Sequence, residues 1–277
     1  MIKYLITGYK GFIGSKLFSV IEAKGEKVEG IEAEIFDLDN WPELIINSLN
    51  VIQPSVIFHV GACSNTLEKD SQIMFVRNYE FTKIISNWAF LNSRKIIYSS
   101  SAANYGANGK YPSNLYGWSK YAAEDYVIKN GGIALRYFNV FGPGEENKGT
   151  MASFLFQAYS KKTKKEKVFL FPNNPRRDFI YIEDVISANL FAEKNYELLD
   201  KKYYEVSTGT SSTFEEVLLH ANISFDYTSE DNIPQGYQFY TCGDKKKWMP
   251  GWYPHYSLRE AVEQYLSYLI PNKIRES

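Results

Sequence analysis

The chain has 277 residues, of which 44% are hydrophobic and 23% charged, and its formal net charge is -1. This length suits one large domain or two coupled domains with a substantial core. The balanced charge gives no electrostatic reason to expect nucleic-acid binding, and no apolar run reaches the roughly 18 residues that a membrane span needs.

The first residues, MIKYLITG, enter a predicted strand directly, without the basic and apolar segments of a secretion signal. Cys63 and Cys242 are far apart and lack the spacing of metal ligands, and His220 and His255 suggest no metal site either. We therefore expect a cytoplasmic protein without a structural disulfide or a bound metal.

Short β-branched segments alternate with longer amphipathic ones along the first half of the chain. The predicted strands are residues 3–7, 27–31, 56–60, 95–99 and 133–137. The predicted helices begin near Phe12, Pro42, Asn78 and Tyr116. This alternation predicts an α/β fold with a doubly wound parallel sheet, the Rossmann arrangement.

The rhythm changes after about Phe141, where loop-rich sequence begins. The basic run 161–167 is interpreted as a solvated helix end, because consecutive charges cannot all face one ligand. Residues 178–186 and 203–207 again have the composition of strands. We therefore predict a dinucleotide-binding domain of residues 1–141 plus about 178–207, interleaved with a smaller substrate domain of about 142–177 and 208–277.

A glycine-rich loop follows the first strand and opens the first helix. It contains Gly8, Lys10, Gly11, Phe12, Ile13 and Gly14. Glycine is needed where a chain turns tightly and approaches a pyrophosphate, and a helix N-terminus offers free N–H groups to an anion. These residues therefore predict a dinucleotide site.

The end of the second strand predicts contacts to the adenosine part of the dinucleotide. Glu32 lies 18 residues after Gly14, and an acidic side chain there favours NAD by accepting from the ribose hydroxyls. Lys10 within the loop favours the extra phosphate of NADP, so the choice between NAD and NADP stays open. Asp37 is interpreted as an adenine contact or a helix cap.

Tyr116 and Lys120 lie at positions i and i+4 of a predicted helix and so share one face. A nearby ammonium stabilises a phenolate, and we therefore expect Lys120 to lower the pKa of Tyr116. Ser101 follows a predicted strand at the sheet edge where ligands bind, and its hydroxyl can orient a substrate oxygen. Ser99 and Ser100 are interpreted as caps or as partners of backbone groups.

With the glycine loop, the strand-end serine and Tyr-x-x-x-Lys in this order, the sequence resembles the short-chain dehydrogenase/reductase superfamily, in particular its extended branch that acts on nucleotide sugars. The resemblance also includes residues 59–62, Asn78, 137–143 and 177–185. Within that branch, residues 61–66, 148–153 and 236–241 are most similar to the ADP-L-glycero-D-manno-heptose 6-epimerase family.

The resemblance implies roles for individual residues. Tyr116 would be an acid/base, Lys120 would hold the cofactor and tune Tyr116, Ser101 would bind the reacting oxygen, and Lys148 would be a second acid/base. Gly61 and Asn78 would contribute to the cofactor site. The residues implied in substrate binding are Asn139, Ser153, Arg177 and Tyr237.

The residues also permit simpler interpretations. Arg177 and Asp178 form a surface ion pair in one of them, and Lys148 is an exposed loop residue in another. Cys63 is expected in a pocket wall, and His59 as a hydrogen-bonded core histidine. The resemblance further implies a homo-oligomer, by analogy alone.

The function predicted from these residues is an NAD(P)-dependent epimerase of a nucleotide sugar, working by transient oxidation to a ketone. Two alternatives are an NADPH-dependent reductase of a 4-keto nucleotide sugar and a catalytically silent dinucleotide-binding scaffold. A dehydratase is disfavoured, because Ala102 and Ala103 follow Ser101 where an acid would be needed to expel water.

Overall fold

The computed structural model describes residues 4–107, 109–234 and 237–273. Lys3 and Gly236, which belong to segments singled out above, lie outside the described residues. The strands are β1 (Tyr4–Thr7), β2 (Val28–Ile31), β3 (Val56–His59), β4 (Lys95–Ser101), β5 (Ile133–Tyr137), β6 (Asn139–Phe141), β7 (Phe169–Leu170), β8 (Arg176–Arg177), β9 (Phe179–Tyr181), β10 (Tyr203–Val206), β11 (Ser212–Thr213) and β12 (Asp226–Tyr227). The α-helices are α1 (Phe12–Ala23), α2 (Trp41–Ile52), α3 (Ser71–Phe75), α4 (Phe81–Leu91), α5 (Leu115–Lys129), α6 (Phe154–Thr163), α7 (Ile182–Lys194), α8 (Phe214–His220) and α9 (Leu258–Lys273).

Six strands form one parallel sheet in the order β10-β5-β4-β3-β1-β2. The chain leaves β1 toward β2 on one side and later fills the other side from β3, so the strand order reverses beside β1. This is the predicted doubly wound sheet, in which ligands bind at the carboxyl edge beside that reversal.

Both faces of the sheet are covered, which explains why its central strands are buried and mainly apolar. Alternate residues of β1 enter opposite hydrophobic clusters, since successive strand side chains point to opposite faces. Leu5 packs in the cluster beneath α2, α4 and α5, whereas Ile6 packs in the cluster with α1, α7 and the C-terminal elements.

The remaining strands make three short pairs, β6 with β9, β7 with β12, and β8 with β11. These pairs and helices α6, α8 and α9 follow the change of rhythm that the sequence shows after residue 141. Because α7 packs against α1 and β10 completes the sheet, both return to the first layer.

Two predicted elements were wrong in type or boundary. Residues 178–186 were predicted as strand, but the strand ends at Tyr181 and α7 begins at Ile182. Its buried residues Ile182, Val185 and Ile186 have helical spacing, which outweighs their β-branched preference.

The helix predicted to begin near Asn78 begins earlier, at Ser71. Asp70 caps it, with its carboxylate accepting hydrogen bonds from the backbone N–H groups of Gln72 and Ile73. Asn78 instead lies in a wide π-type turn, Val76–Glu80, that joins α3 to α4. Such turns often occur at functional sites.

The basic run 161–167 lies at a helix end, as predicted. Helix α6 ends at Thr163, and Lys161 and Lys162 are in its last turn, where the helix dipole stabilises cations.

Among the described residues, none of the helices combines the length and apolarity required to cross a membrane. Cys63 and Cys242 both carry free thiols. The described part of the chain contains no cluster of three potential metal ligands.

Candidate active site and dinucleotide cavity

The loop between β1 and α1 adopts a shape that only glycine permits at several positions. Gly8 has φ +66°, and a Cβ there would lie 2.6 Å from the Cα of Gly61, at the end of β3. A Cβ at Gly14 would lie 2.0 Å from the carbonyl oxygen of Gly8. The loop is therefore packed tightly against both the helix and the neighbouring strand end.

A cavity of about 270 Å³ lies over this loop. It is lined by Gly8, Gly11, Phe12, Ile13, Gly14, Ile31, Glu32, Ala33, Phe36, Val60, Gly61, Ala62, Cys63, Ser64, Arg77, Phe81 and Lys148. Gly11 caps α1 without a side chain of its own, so the first N–H groups of the helix face no competing cap. Bare backbone at a helix start and an apolar wall fit a dinucleotide. Cys63 is a wall residue, as predicted.

Charged groups surround the end of the cavity nearest β2. Glu32 accepts a hydrogen bond from the backbone N–H of Lys10 at 2.8 Å and another from that of Ala33 at 3.0 Å. The Lys10 ammonium turns away to pair with Glu34 at 2.8 Å, and this hydrogen bond raises the pKa of Lys10. Asp37 lines the adjoining outer cavity. It does not cap α2, because Asn40 is the residue that precedes that helix.

Tyr116 and Lys120 lie one turn apart near the start of α5, beside the end of β4. Asn114 fixes the helix start by accepting a hydrogen bond from the backbone N–H of Gly117 at 2.8 Å. The phenol of Tyr116 is hydrogen bonded with Ser101. Lys120 is 2% exposed, and its Nζ lies 4.2 Å from the ring centroid of Tyr98. Ser101 and Tyr116 therefore lie together at the carboxyl edge of the sheet, with Lys120 one helical turn further along α5.

Burial controls the ionisation of this pair in the ligand-free chain. It raises the pKa of Tyr116, and the hydrogen bond with Ser101 offsets the rise only in part. It lowers the pKa of Lys120 to about 7, although the Glu124 carboxylate acts in the opposite direction. The expectation that Lys120 lowers the pKa of Tyr116 is therefore wrong for the chain alone, because removing both groups from water favours their neutral forms.

A buried ion pair that the sequence analysis missed anchors α5 to the sheet. Arg136 donates to Glu124 through Nε at 2.7 Å and through a second nitrogen at 2.5 Å. Ser100 donates to the same carboxylate at 2.6 Å, whereas the Ser99 hydroxyl lies 3.0 Å from that of Tyr137. Neither serine is a cap, so that interpretation was wrong. The sequence did offer a sign of the ion pair, because Glu124 lies four residues after Lys120 on the same predicted helix.

Asn78 and His59 support the cavity from behind. The Asn78 side chain accepts from the backbone N–H of Cys63 at 2.7 Å and donates to Ser119 at 2.9 Å, which ties the cavity wall to α5. His59 is fully buried between the hydroxyls of Thr7 and Thr82, at 2.7 and 2.8 Å. Burial lowers the pKa of His59 to about 3, so it is the neutral core histidine that was predicted.

Arg177 packs between aromatic rings of the second region. Its guanidinium carbon lies 5.2 Å from the ring centroid of Tyr237 and 5.6 Å from that of Phe214. Burial lowers the pKa of Arg177, while a hydrogen bond with Tyr237 acts in the opposite direction. The half-buried cation therefore lies against aromatic walls, where water screens it less than at the open surface.

Asp178 is fully buried and does not form the surface ion pair considered for it. Its carboxylate accepts hydrogen bonds from the backbone N–H groups of Thr208, Gly209 and Gly243 at 2.8, 2.9 and 3.0 Å. It thereby joins two loops beside Asn139, whose amide donates to the Asp178 carbonyl at 3.1 Å.

An aromatic cavity of about 150 Å³ adjoins Arg177. It is lined by Phe154, Phe169, Leu170, Phe171, Pro175, Phe214 and Tyr237. Sequence reasoning missed it, because the contributing residues are spread over more than 80 positions and only packing brings them together. A flat aromatic slot beside a cation suits a planar ring attached to an anion.

Lys148 and Ser153 lie on the loop that leads from β6 to α6. The Lys148 ammonium is 5.0 Å from the ring centroid of Phe12, at the mouth of the cavity over the glycine loop, and burial lowers its pKa. The Ser153 hydroxyl caps α6 by accepting from the N–H of Phe156, and it donates to Glu145 at 2.7 Å.

Comparisons with known proteins agree with this geometry. The family model described as the NAD dependent epimerase/dehydratase family matches residues 4–207. The ADP-L-glycero-D-manno-heptose-6-epimerase of Brachyspira hyodysenteriae (strain ATCC 49526 / WA1) is 31% identical over an alignment of 314 positions, gaps included, that covers 96% of this chain and 97% of that protein.

Two solved structures have the same fold. The UDP-glucose 4-epimerase of Thermotoga maritima, solved with UDP-glucose, superposes with a TM-score of 0.85 at 22% identity and 98% and 99% coverage of the two chains. The ADP-L-glycero-D-manno-heptose-6-epimerase of Helicobacter pylori superposes with a TM-score of 0.82 at 25% identity, covering 97% of this chain and 96% of that one.

Proposed function

The chain belongs to the NAD dependent epimerase/dehydratase family, and we propose that it is a nucleotide-sugar epimerase that works by transient oxidation of its substrate. The observation that carries the proposal is the contact of Ser101 with Tyr116 at the end of β4, beside Cys63 of the cavity wall, with Lys120 one helical turn further along α5. This set supplies a proton acceptor, a hydroxyl that orients the substrate oxygen, and a cation within one turn of helix.

The residues that would hold the cofactor are Gly8, Lys10, Gly11, Phe12, Ile13, Gly14, Glu32, Asp37, Gly61, Asn78, Tyr116 and Lys120. The cofactor that these residues would hold would supply reversible hydride transfer with one carbon of the sugar, with no net oxidation. Asn78 would contribute by holding the cavity wall at Cys63, since its amide is occupied by protein groups.

Tyr116 would take the proton of the sugar hydroxyl as the carbon loses its hydride, and would return a proton when the hydride comes back. Ser101, already hydrogen bonded with Tyr116, would hold the reacting oxygen. In the ligand-free chain burial favours the neutral phenol, so the Lys120 ammonium would stabilise phenolate only once cofactor and substrate are bound. The Lys120 pKa near 7 leaves the ammonium populated at neutral pH.

Inversion requires that the ketone present its other face before the hydride returns, and a second proton donor would serve that orientation. We assign this part to Lys148, whose ammonium lies at the mouth of the cavity and whose pKa is lowered by burial. Arg177 would bind the diphosphate and the aromatic cavity the base, with contacts from Asn139, Ser153 and Tyr237. The Brachyspira relative supports an ADP- or other nucleotide-heptose as the substrate.

The proposal has three further features. The division into residues 1–141 plus about 178–207 and about 142–177 plus 208–277 agrees with the return of α7 and β10 to the sheet. A homo-oligomer is supported by exposed apolar side chains on the paired helices α4 and α5, Phe90, Leu91 and Trp118. Sedimentation as a monomer at micromolar concentration would contradict it. A cytoplasmic location stays a prediction.

The test is Tyr116→Phe, assayed with a panel of ADP- and UDP-sugars by NMR detection of the epimer. Loss of the phenolic proton acceptor is expected to reduce kcat by roughly 10²- to 10⁴-fold, with dinucleotide binding retained. The control is Tyr126→Phe on the same helix, whose hydroxyl contacts Asn87 at the surface. Unchanged turnover in Tyr116→Phe refutes the assignment, and stoichiometric consumption of NADPH identifies a reductase instead.

A further inference from the structure

The outer cavity beside the glycine loop carries opposed charges. Its volume is about 460 Å³. It is lined by Lys10, Gly11, Phe12, Glu32, Ala33, Glu34, Asp37, Arg77, Gly144, Asn147 and Lys148. It shares Glu32, Arg77 and Lys148 with the cavity assigned to the dinucleotide, so its charges act on the end of the cofactor that lies at β2.

Each of the two glutamates has a different partner. Glu32 is oriented by the backbone N–H groups of Lys10 and Ala33. The Glu34 carboxylate instead holds the Lys10 ammonium, at 2.8 Å. The ion pair is exposed, with 55% and 66% of the two side chains accessible, so solvent screens it and a single substitution can open it.

NAD and NADP differ by one phosphate on the adenosine ribose, which adds close to two negative charges at neutral pH. In a dinucleotide site of this kind, an acidic group selects against that phosphate and a cation selects for it. While Lys10 is paired with Glu34, the two charges cancel, and the net charge that these three groups present on the β2 side is that of Glu32. With Lys10 released, the same place presents a free ammonium.

We propose that Glu34 determines the coenzyme preference, by holding Lys10 and so making the protein select NAD over NADP. The inference rests on the proposed function only in that a dinucleotide must bind at the glycine loop. Glu32 alone does not fulfil this specificity role, because its carboxylate accepts from backbone N–H groups and does not pair with the Lys10 ammonium.

The experiment measures dissociation constants of NAD⁺ and NADP⁺ by titration calorimetry, using full-length protein freed of retained nucleotide. Glu34→Gln keeps the shape of the side chain and removes its charge. We expect it to tighten NADP⁺ binding by about tenfold and to change NAD⁺ binding by no more than about threefold, as a unit charge near a screened phosphate dianion allows. The gain should shrink as the salt concentration rises.

Two variants control for general charge effects. Asp125→Asn removes the same charge from another exposed ion pair, with Lys129 on the outer face of α5, and should leave both dissociation constants unchanged. Lys10→Met combined with Glu34→Gln should abolish the gain, because the released ammonium is then absent.

The outcomes separate this inference from the proposed function. Wild-type preference for NAD⁺, a gain in NADP⁺ affinity in Glu34→Gln and its loss in the double variant would support the inference. A Glu34→Gln variant no different from Asp125→Asn overturns it, as does a wild type that prefers NADP⁺. A gain that persists without Lys10 also overturns it and transfers the role to Arg77, which lies 5.5 Å from the ring centroid of Phe36. Binding of neither dinucleotide refutes the proposed function itself.

Discussion

Replacing Lys120 with Met tests the buried ammonium on which the proposed chemistry depends. Lys120 is 2% exposed, and burial lowers its pKa from 10.5 to about 7. Between those two values, the unfolded chain binds a proton that the folded chain releases. The free energy of unfolding therefore rises with pH in this window, and the cost of burying the charge is fully present only below pH 7.

The magnitude follows from the two pKa values. From pH 6 to pH 9, the wild type should gain roughly 2 to 3 kcal/mol from Lys120, at a slope that approaches about 1.4 kcal/mol per pH unit above pH 7. Met has a similar length and no charge, so Lys120→Met should lack this gain and should be the more stable protein at pH 6. Its catalytic activity should be lost, because no ammonium remains to favour the phenolate of Tyr116.

The assay is urea denaturation of the cofactor-free protein at pH 6, 7, 8 and 9, with the free energy of unfolding obtained by linear extrapolation. Other groups titrate over the same range, so the quantity of interest is the difference between the wild type and Lys120→Met. Lys129→Met, at an exposed position of the same helix, is the matched control. If the difference between wild type and Lys120→Met does not change with pH, the buried-ammonium reasoning fails.

Three further expectations concern residues that support the site. In His59→Asn the free energy of unfolding should fall less on acidification than in the wild type, because the folded pKa of His59 is about 3 and its burial costs the wild type about 2 kcal/mol between pH 7 and pH 5. Urea denaturation at the two pH values measures this loss, and equal losses in both proteins would contradict the prediction. Gly14→Ala should weaken dinucleotide binding at least tenfold in titration calorimetry, roughly a 1.4 kcal/mol effect, because its Cβ would lie 2.0 Å from the Gly8 carbonyl oxygen; wild-type affinity would show that the loop can relax. Asp178→Asn should lower the free energy of unfolding by about 1 to 3 kcal/mol, because one acceptor oxygen is lost where the carboxylate oxygens receive three backbone N–H groups; an unchanged urea midpoint would show that those groups find other partners.

The sequence determined the parts of this protein that depend on local pattern. Apolar segments with strand spacing gave five strands of the sheet to within two residues, since a parallel strand covered on both faces is mainly apolar. The glycine loop could be assigned because close packing leaves no room for a Cβ at Gly8 and Gly14. The pairing of Tyr116 with Lys120 follows from helix geometry alone.

Tertiary structure decided the properties that depend on distant residues. The partner of Lys10 could not be known in advance, because Glu34 reaches it only after the chain has passed through α1 and β2. The aromatic cavity beside Arg177 required loops far apart in sequence to meet. Most of all, tertiary structure decided the ionisation of the pair. The pKa of Tyr116 is raised where the sequence predicted it to be lowered, and the pKa of Lys120 is lowered. Burial causes both shifts, and burial depends on the whole packed molecule, whereas helical spacing depends on five residues.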